Sequence, residues 1–172
     1  MDVIEFFELS AGKWFSQRTV HNLNSGELQA GKSDLKIEIL TASDAAVVKL
    51  CQQYSINPAS TKLTSVRISW DGTPDRTEAK QIGSTILAIV PNLDNPSEGQ
   101  VLQDNGNTRY VMGDDDVLTL ITESDTIHAE ERLWYLIPNL RLRTSVVKQA
   151  NGTEQASFCS EIRMGVIAKI PE

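Results

Sequence analysis

From the middle of the chain onward, the sequence is interrupted at short intervals by motifs that favour tight turns. These motifs are Asp71-Gly72, Pro91-Asn92, Asp104-Asn105-Gly106, Gly113-Asp114, Ser124-Asp125 and Asn151-Gly152. Asn-Gly and Asp-Gly pairs favour positive φ, and they therefore favour the tight turns of β-hairpins. The segments between the turns are short and alternate in hydrophobicity, which is typical of strands rather than helices. The sequence therefore predicts a chain made mostly of β-hairpins.

Only two segments have helical character: residues 2–10, with Asp2 as N-cap and Gly12 just past the end, and residues 43–54, with Ser43 as N-cap. About ten strands joined mostly by hairpins favour closure into a barrel, because closure removes exposed edges. An early helix followed by an uninterrupted meander predicts a lipocalin-like barrel, and a two-sheet sandwich is the alternative. The predicted strands are 12–22, 33–41, 63–70, 82–90, 99–104, 107–112, 117–123, 126–137, 139–149 and 155–166.

The length of 172 residues suits one domain, which we assign to residues 1–172. The 23 acidic residues outnumber the 16 basic ones and give a net charge of −7, which argues against nucleic acid as a partner. No apolar run approaches the length of a transmembrane helix, and the N-terminus carries acids where a signal peptide would carry basic residues. We therefore expect a soluble protein that stays in the compartment where it is made, without membrane insertion.

The two cysteines, Cys51 and Cys159, stand far apart in the sequence. They are too few for a disulfide framework, and neither has neighbours at the spacing of a zinc site. Isolated cysteines are more often small buried side chains than reactive groups. We expect both to be structural and expect no metal site. The sequence also has no HExxH motif, nucleophile elbow or glycine-rich phosphate loop.

The strand predicted at 12–22 places different side chains on its two faces. By alternation, Trp14, Ser16 and Arg18 share one face, and His21 belongs to the other. The Gly-x-Trp motif resembles the first strand of lipocalins, in which the Trp closes one end of the barrel against an Arg of the last strand, here Arg163. We expect Trp14 to be structural. Taken alone, Arg18 is expected to point into solvent, because an unpaired buried charge is costly.

Residues 126–149 predict a long hairpin whose return strand carries the chain's densest group of arginines. Arg141, Arg143 and Ser145 share one face of that strand, and alternating leucines share the other. In a protein with an internal pocket the arginines could face inward and bind two carboxylates. Glu131, on the first strand of this hairpin, would then be a carboxyl group in apolar surroundings, suited to donating a proton. From these residues alone, an Arg–Glu pair on the surface is the simpler interpretation.

Five motifs together resemble the S/U-type bilin lyases of cyanobacteria and related plastids, the CpcS/CpeS group. They are FFELSAGKW at 6–14, SQRTVH at 16–21, RISWDG at 67–72, ERLWYLIPNLRLRTS at 131–145 and ASFCSEIR at 156–163. The resemblance runs nearly from end to end. It implies a ten-stranded antiparallel lipocalin-like (calycin) up-and-down barrel with one or two short helices. One departure is Asn22, where many relatives have a second histidine after His21.

The resemblance also implies an activity, namely attachment of an open-chain tetrapyrrole to a cysteine of an apo-phycobiliprotein subunit. The substrate would be phycocyanobilin or phycoerythrobilin, and no cofactor of the protein's own is expected. Arginines would hold the propionates, and a carboxyl group would keep the pyrrole nitrogens protonated. The matching positions are, for catalysis, Glu131, Arg141 and Arg143 and, for bilin binding, Arg18, His21, Trp70 and Ser145.

The expected partners are the bilin, the acceptor subunit and a second lyase subunit, in either a homodimer or a heterodimer. The expected location is the cyanobacterial cytosol or the plastid stroma. Two other functions remain open from the sequence: a bilin carrier that does not transfer its ligand, and a non-catalytic partner subunit of a heterodimeric lyase.

Overall fold

The computed structural model describes residues 1–74, 79–104 and 106–165. Ten antiparallel strands form a closed barrel in which each strand pairs with its neighbours in sequence and the first pairs with the last. The predicted up-and-down barrel is confirmed, and the sandwich alternative is wrong. The strands are β1 (Gly12–Asn22), β2 (Leu28–Leu40), β3 (Thr64–Pro74), β4 (Gln81–Pro91), β5 (Glu98–Leu102), β6 (Asn107–Met112), β7 (Leu118–Glu123), β8 (Ile127–Ile137), β9 (Leu140–Gln149) and β10 (Glu154–Arg163).

Most strand bounds agree with the predicted ones to within two residues, and the larger differences lie in β2, β3 and β10. The Asp71-Gly72 pair is not a turn, because β3 continues through it and pairs with β2 as far as Pro74. Gly72 lies opposite Ser33, and a Cβ at Gly72 would stand 2.6 Å from the Ser33 hydroxyl oxygen. The glycine therefore permits close approach of two strands rather than a reversal of the chain. Residue 166, the predicted end of β10, and the turn residue Asn105 lie outside the described residues. The strand itself ends at Arg163, so the prediction that it continues through Met164 and Gly165 is wrong.

Helix α1 (Val3–Ser10) closes the barrel at the end where β1 begins. Asp2 and Glu5 form a reciprocal capping box that starts the helix. Its buried side chains, Val3, Phe6 and Phe7, belong to the main hydrophobic core together with Trp14. The predicted helix at 2–10 is thus confirmed, and it acts as a plug between the first and last strands.

Helix α2 (Ala45–Gln53) packs against the outside of the barrel. Val47, Leu50 and Cys51 are buried there against side chains of β4 and β5. The N-cap is Asp44, whose Oδ1 accepts from the backbone of Ala46 at 2.9 Å; the predicted cap, Ser43, is wrong. An aspartate cap also places negative charge at the positive end of the helix dipole. Neither helix has the length and apolar character needed to cross a bilayer, within the part of the chain that is described.

Candidate functional site

The barrel encloses a cavity of about 420 Å³, a size at which proteins bind small organic ligands. Near α1 the wall is apolar and includes Phe7, Leu87 and Leu133. Charged and polar side chains face the same space from β1, β8, β9 and β10. The charged side chains among the cavity-lining residues are Arg18, Lys32, Glu131, Arg141, Arg143 and Glu161.

Arg141 and Glu161 form a buried ion pair between β9 and β10. They lie directly opposite each other in the register, and Glu161 Oε2 accepts from Arg141 Nε at 2.6 Å and lies 2.6 Å from Nη2. The Glu161 side chain is 0% exposed and that of Arg141 is 6% exposed. Two carboxylate contacts in so dry a setting hold the guanidinium in one orientation. The prediction of a surface Arg–Glu pair is therefore wrong, since the pair is internal and its acid is Glu161 rather than Glu131.

Ser10 of α1 completes the surroundings of Arg141. Its hydroxyl donates to the carbonyl of Phe6 at 2.8 Å, accepts from Arg141 Nη1 at 2.8 Å and lies 2.7 Å from the Tyr135 hydroxyl. Because the single hydroxyl proton of Ser10 is directed to Phe6, Tyr135 is the donor in their contact. The helix that plugs the barrel is therefore hydrogen-bonded to the ion pair under the cavity.

The same end of the barrel confirms the expected Trp14–Arg163 contact. The Arg163 guanidinium carbon lies 4.2 Å from the centroid of the Trp14 ring, within range of a cation–π interaction. Arg163 also donates to the carbonyls of Leu9 and Ala11, and Trp14 Nε1 donates to the carbonyl of Ser10 at 2.8 Å. These bonds satisfy carbonyl groups at the end of α1 that the helix itself leaves unpaired. Trp14 is fully buried, and its part in the molecule is structural.

Arg143 lies on the inner face of β9 between two carboxylates. Burial opposes its charge, but the carboxylates of Glu131 and Glu161 favour it, and the net effect raises the pKa of Arg143 above its ordinary value. Its Nη2 lies 3.7 Å from Glu161 Oε1 and donates to the sulfur of Cys159 at 3.6 Å. Arg143 is more open to the cavity than Arg141, with 29% of its side chain exposed. It therefore remains a permanent cation that a ligand can reach.

One oxygen of Glu161 has no hydrogen bond to any described part of the chain. Oε1 is buried and has no donor within hydrogen-bonding distance among the described residues. A buried carboxylate oxygen normally has a donor, so this atom marks a place where a water or a ligand N–H fits.

Arg18 lies on the inner face of β1 and lines the cavity while remaining exposed to solvent. The expectation of an outward Arg18 is therefore wrong. In the described ranges, no residue forms a hydrogen bond or ion pair with its side chain. Arg18 avoids the desolvation cost of a buried charge because its side chain stays hydrated. An anion that enters the cavity would be its natural partner.

The remaining predicted residues divide into two groups. Trp70 lines the cavity from β3, half-buried. Ser145 shares the inner face of β9 with the arginines, but its hydroxyl is 2.6 Å from that of Ser157, and it is not among the cavity-lining residues. His21 is exposed on the outer face of β1. The structure thus brings Arg18, Trp70, Glu131, Arg141 and Arg143 together and leaves His21 and Ser145 outside the cavity wall.

Sequence reasoning missed Ser10, Tyr135 and Glu161 as parts of the site. Glu161 could have been found, because it is two residues from Arg163 and alternation places both on the same face of β10. The role of Ser10 leaves no comparable trace, since its partner Arg141 is 131 residues away in the chain.

The chemistry of the cavity is that of an anion site with an apolar wall. Three arginines and Lys32 line the cavity together with two glutamates, so the cavity wall is net positive although the whole chain carries −7. Arginine suits carboxylates because its planar fork can donate two parallel hydrogen bonds. No group of three or more His, Cys, Asp or Glu side chains is placed to hold a metal ion in the residues that the structure covers.

Comparisons with known proteins agree with this architecture. A family model described as CpeS-like protein matches residues 2–164. The chain is 56% identical over 170 residues to Chromophore lyase CpcS/CpeS 1 of Trichodesmium erythraeum, covering 95% of this chain and 98% of that protein. It is 35% identical to the phycocyanobilin lyase subunit CpcS of a Picosynechococcus species, covering 95% and 86% of the two chains.

The barrel also resembles a solved structure, that of the S-type phycobiliprotein lyase CPES from Guillardia theta. The TM-score is 0.90 at 33% identity, covering 97% of this chain and 95% of that one. Sequence and structure thus agree over nearly the whole length, and the chain belongs to the CpeS-like protein family.

Proposed function

We propose that the protein is a chromophore lyase that binds phycocyanobilin or a related open-chain tetrapyrrole and attaches it by a thioether bond to a cysteine of an apo-phycobiliprotein subunit. The observation that carries this proposal is the net positive, arginine-lined cavity inside an otherwise acidic barrel. The names of the relatives, chromophore lyase and phycocyanobilin lyase subunit, give it independent support.

The bilin has three chemical features that the cavity matches. Its two propionates require cations. Of the three arginines that line the cavity, Arg18 and Arg143 have side chains that a ligand can reach. Its conjugated rings require apolar and aromatic contacts, which Trp70 and the leucines of the wall provide. Arg141 is already engaged by Glu161, so its role in this proposal is to hold the other groups in place and to add positive charge beneath them.

Its third feature, the pyrrole N–H groups, requires acceptors. Glu131 lies on the inner face of β8, and Glu161 Oε1 is a buried oxygen that has no donor among the residues the structure describes. In the proposed mechanism Glu131 supplies the proton that keeps the nitrogens charged. Protonation withdraws electrons from ring A, and the ethylidene carbon of that ring becomes a better electrophile.

The bond-forming step needs no oxidant or reductant. The acceptor's thiolate sulfur bonds to the ethylidene carbon, the exocyclic double bond becomes single, and a proton is delivered to the adjacent ring carbon. The protein's own thiols are not the nucleophile, because Cys51 and Cys159 are both 0% exposed. Catalysis consists of holding the bilin in one orientation and keeping its reactive end accessible, an effect that can amount to several kcal/mol.

The proposed partners include a second lyase subunit. On the outer face of β9 and β10, apolar side chains are exposed to solvent. Phe158 is 47% exposed and Ile162 is 48% exposed, with Val146 beside them on β9. A second copy of this chain would cover such a face. Light scattering should then give twice the monomer mass, whereas a monomer would favour a heterodimer with a related subunit. The proposed place of action is the cyanobacterial cytosol or plastid stroma.

A binding titration tests the site. Phycocyanobilin added to the purified protein should give a saturable change in visible absorbance. Arg143→Gln removes a charged hydrogen bond and should weaken binding about tenfold or more. Arg132→Gln is the matched control, because Arg132 is exposed on the outer face of β8, and it should leave binding unchanged. Equal effects of the two substitutions would contradict the proposed site.

A further inference from the structure

Trp70 and Gly83 face each other across β3 and β4 inside the barrel. They are directly paired in the strand register. A Cβ atom placed on Gly83 would stand 2.5 Å from Cζ2 and 2.7 Å from Cε2 of the Trp70 indole. Such distances are below any normal carbon–carbon contact. The indole therefore occupies the space that any side chain at position 83 would need.

The reason for glycine at this position is the indole and not the backbone. Gly83 does not have the positive φ that would favour glycine, and all three of its nearest atoms belong to the Trp70 ring. The surroundings of two other strand glycines are different. A Cβ atom on Gly99 would stand 2.3 Å from the carbonyl oxygen of Val90, and one on Gly72 would contact backbone as well as side-chain atoms. Glycine in a strand interior otherwise lowers stability, so its presence marks a close approach.

We infer that Gly83 is a positioning residue, which fixes the Trp70 ring against β4 and thereby sets the shape of the ligand cavity. Trp70 lines the cavity whereas Gly83, which it covers, does not. Any side chain at position 83 would push the indole away from β4, and the open volume on that side is the cavity itself. The inference rests on the proposed function, in that the ligand whose fit depends on the ring is a linear tetrapyrrole.

A double-mutant cycle separates positioning from simple structural damage. The four proteins are the wild type, Gly83→Ala, Trp70→Leu and the double variant, each titrated with phycocyanobilin. With Trp70 present, Gly83→Ala should weaken binding about tenfold. With Leu at position 70 the clash is gone, and the same substitution should change binding less than twofold. A merely structural glycine would give equal losses in both backgrounds.

A second readout does not depend on the ligand. In a Trp134→Phe background, which removes an aromatic side chain of β8 that is not part of the cavity wall, Gly83→Ala should shift the tryptophan emission of the free protein. If Gly83→Ala does not fold, the double variant should fold, because it relieves the clash. Recovery of folding would support the same coupling.

The outcomes distinguish the two proposals. One outcome is that the wild type binds phycocyanobilin and Gly83→Ala matches it in both affinity and tryptophan emission. This outcome would overturn the inference and leave the proposed function standing. Failure of both Gly83→Ala and the double variant to fold would also overturn it. Absence of bilin binding by the wild type, together with an emission shift in Gly83→Ala, would overturn the proposed function and keep the contact between Gly83 and the indole.

Discussion

Glu161 Oε2 lies 2.6 Å from both Nε and Nη2 of Arg141, and the Glu161 side chain is fully buried. The two residues sit opposite each other on β9 and β10, with Ser10 of the plugging helix on the remaining side of the guanidinium. Separating such a pair leaves a charge in a dry environment, at a cost of several kcal/mol. This contact therefore joins the closed end of the barrel to the floor of the cavity.

Replacing Glu161 with Gln should lower the free energy of unfolding by about 3 kcal/mol, the lower end of the cost of breaking a buried ion pair. The amide keeps the shape and an acceptor oxygen but removes the negative charge that balances Arg141. Urea unfolding followed by circular dichroism measures the change.

Glu154→Gln on the same strand is the matched control. Glu154 faces Lys148 at 3.5 Å with both side chains well exposed, and its loss should cost less than about 1 kcal/mol. The double variant Arg141→Met/Glu161→Leu should be less destabilised than Glu161→Gln, because it removes both charges. A double variant that is worse than Glu161→Gln would contradict the account of a charge left without its partner.

Ser10→Ala should destabilise the protein by about 1–3 kcal/mol, since it leaves Arg141 Nη1 and the Tyr135 hydroxyl without their acceptor. Tyr135→Phe removes only one of the two donors and should cost less. Hydrogen exchange of the α1 amides should rise in Ser10→Ala ahead of global unfolding. An unchanged exchange rate would show that the hydroxyl does not hold the helix on the barrel.

Tyr110 gives the protein a defined response to alkali. Burial raises the pKa of Tyr110 to about 12, with a smaller contribution from Asp2, and its hydroxyl donates to the carbonyl of Pro96 at 2.8 Å. In the unfolded chain the phenol ionises near its ordinary value of about 10. Its contribution to stability is therefore complete below pH 10 and is lost as the pH rises to about 12.

Phenolate absorbance of the folded protein should therefore include a late step near pH 12, which belongs to Tyr110. Tyr110→Phe should remove the late step and the associated loss of stability. Absence of this step in the wild type, or its persistence in Tyr110→Phe, would contradict the prediction.

The two thiols should be inert in the folded protein. Cys51 and Cys159 are both fully buried, and burial raises the pKa of the Cys51 thiol. A thiol reagent should therefore react only as the protein unfolds. Replacing both cysteines with Ser should leave bilin transfer largely intact, and loss of transfer with the fold preserved would mean that one of them takes part in the reaction.

Most of the fold could be predicted because hairpin turns and strand alternation are local properties of the sequence. The exceptions depend on distant partners. Residues 28–32, LQAGK, contain no β-branched or aromatic side chain, and they become part of β2 because β1 and the end of β3 pair with them. Likewise Asp71-Gly72 has the composition of a turn but continues as a strand, since β2 lies alongside it.

The site was harder to predict because alternation assigns residues to a face without saying which face is inside. Arg141 and Arg143 were correctly placed on one face, but the carboxylate that allows Arg141 to be buried comes from another strand. Charge pairing across strands is a tertiary property. The positions of Trp70 and Gly83 similarly follow from the register of β3 and β4, which no local pattern specifies.

The most direct test of the proposed lyase activity is reconstitution with phycocyanobilin and an apo-phycocyanin or apo-allophycocyanin subunit, with the acceptor run on a denaturing gel and detected by zinc-induced bilin fluorescence. The account predicts a covalent fluorescent band that requires this protein and is lost in folded Arg18→Ala and Glu131→Ala variants. A bilin complex that forms without any covalent band would contradict it, and would identify the protein as a carrier or as one subunit of a heterodimeric lyase.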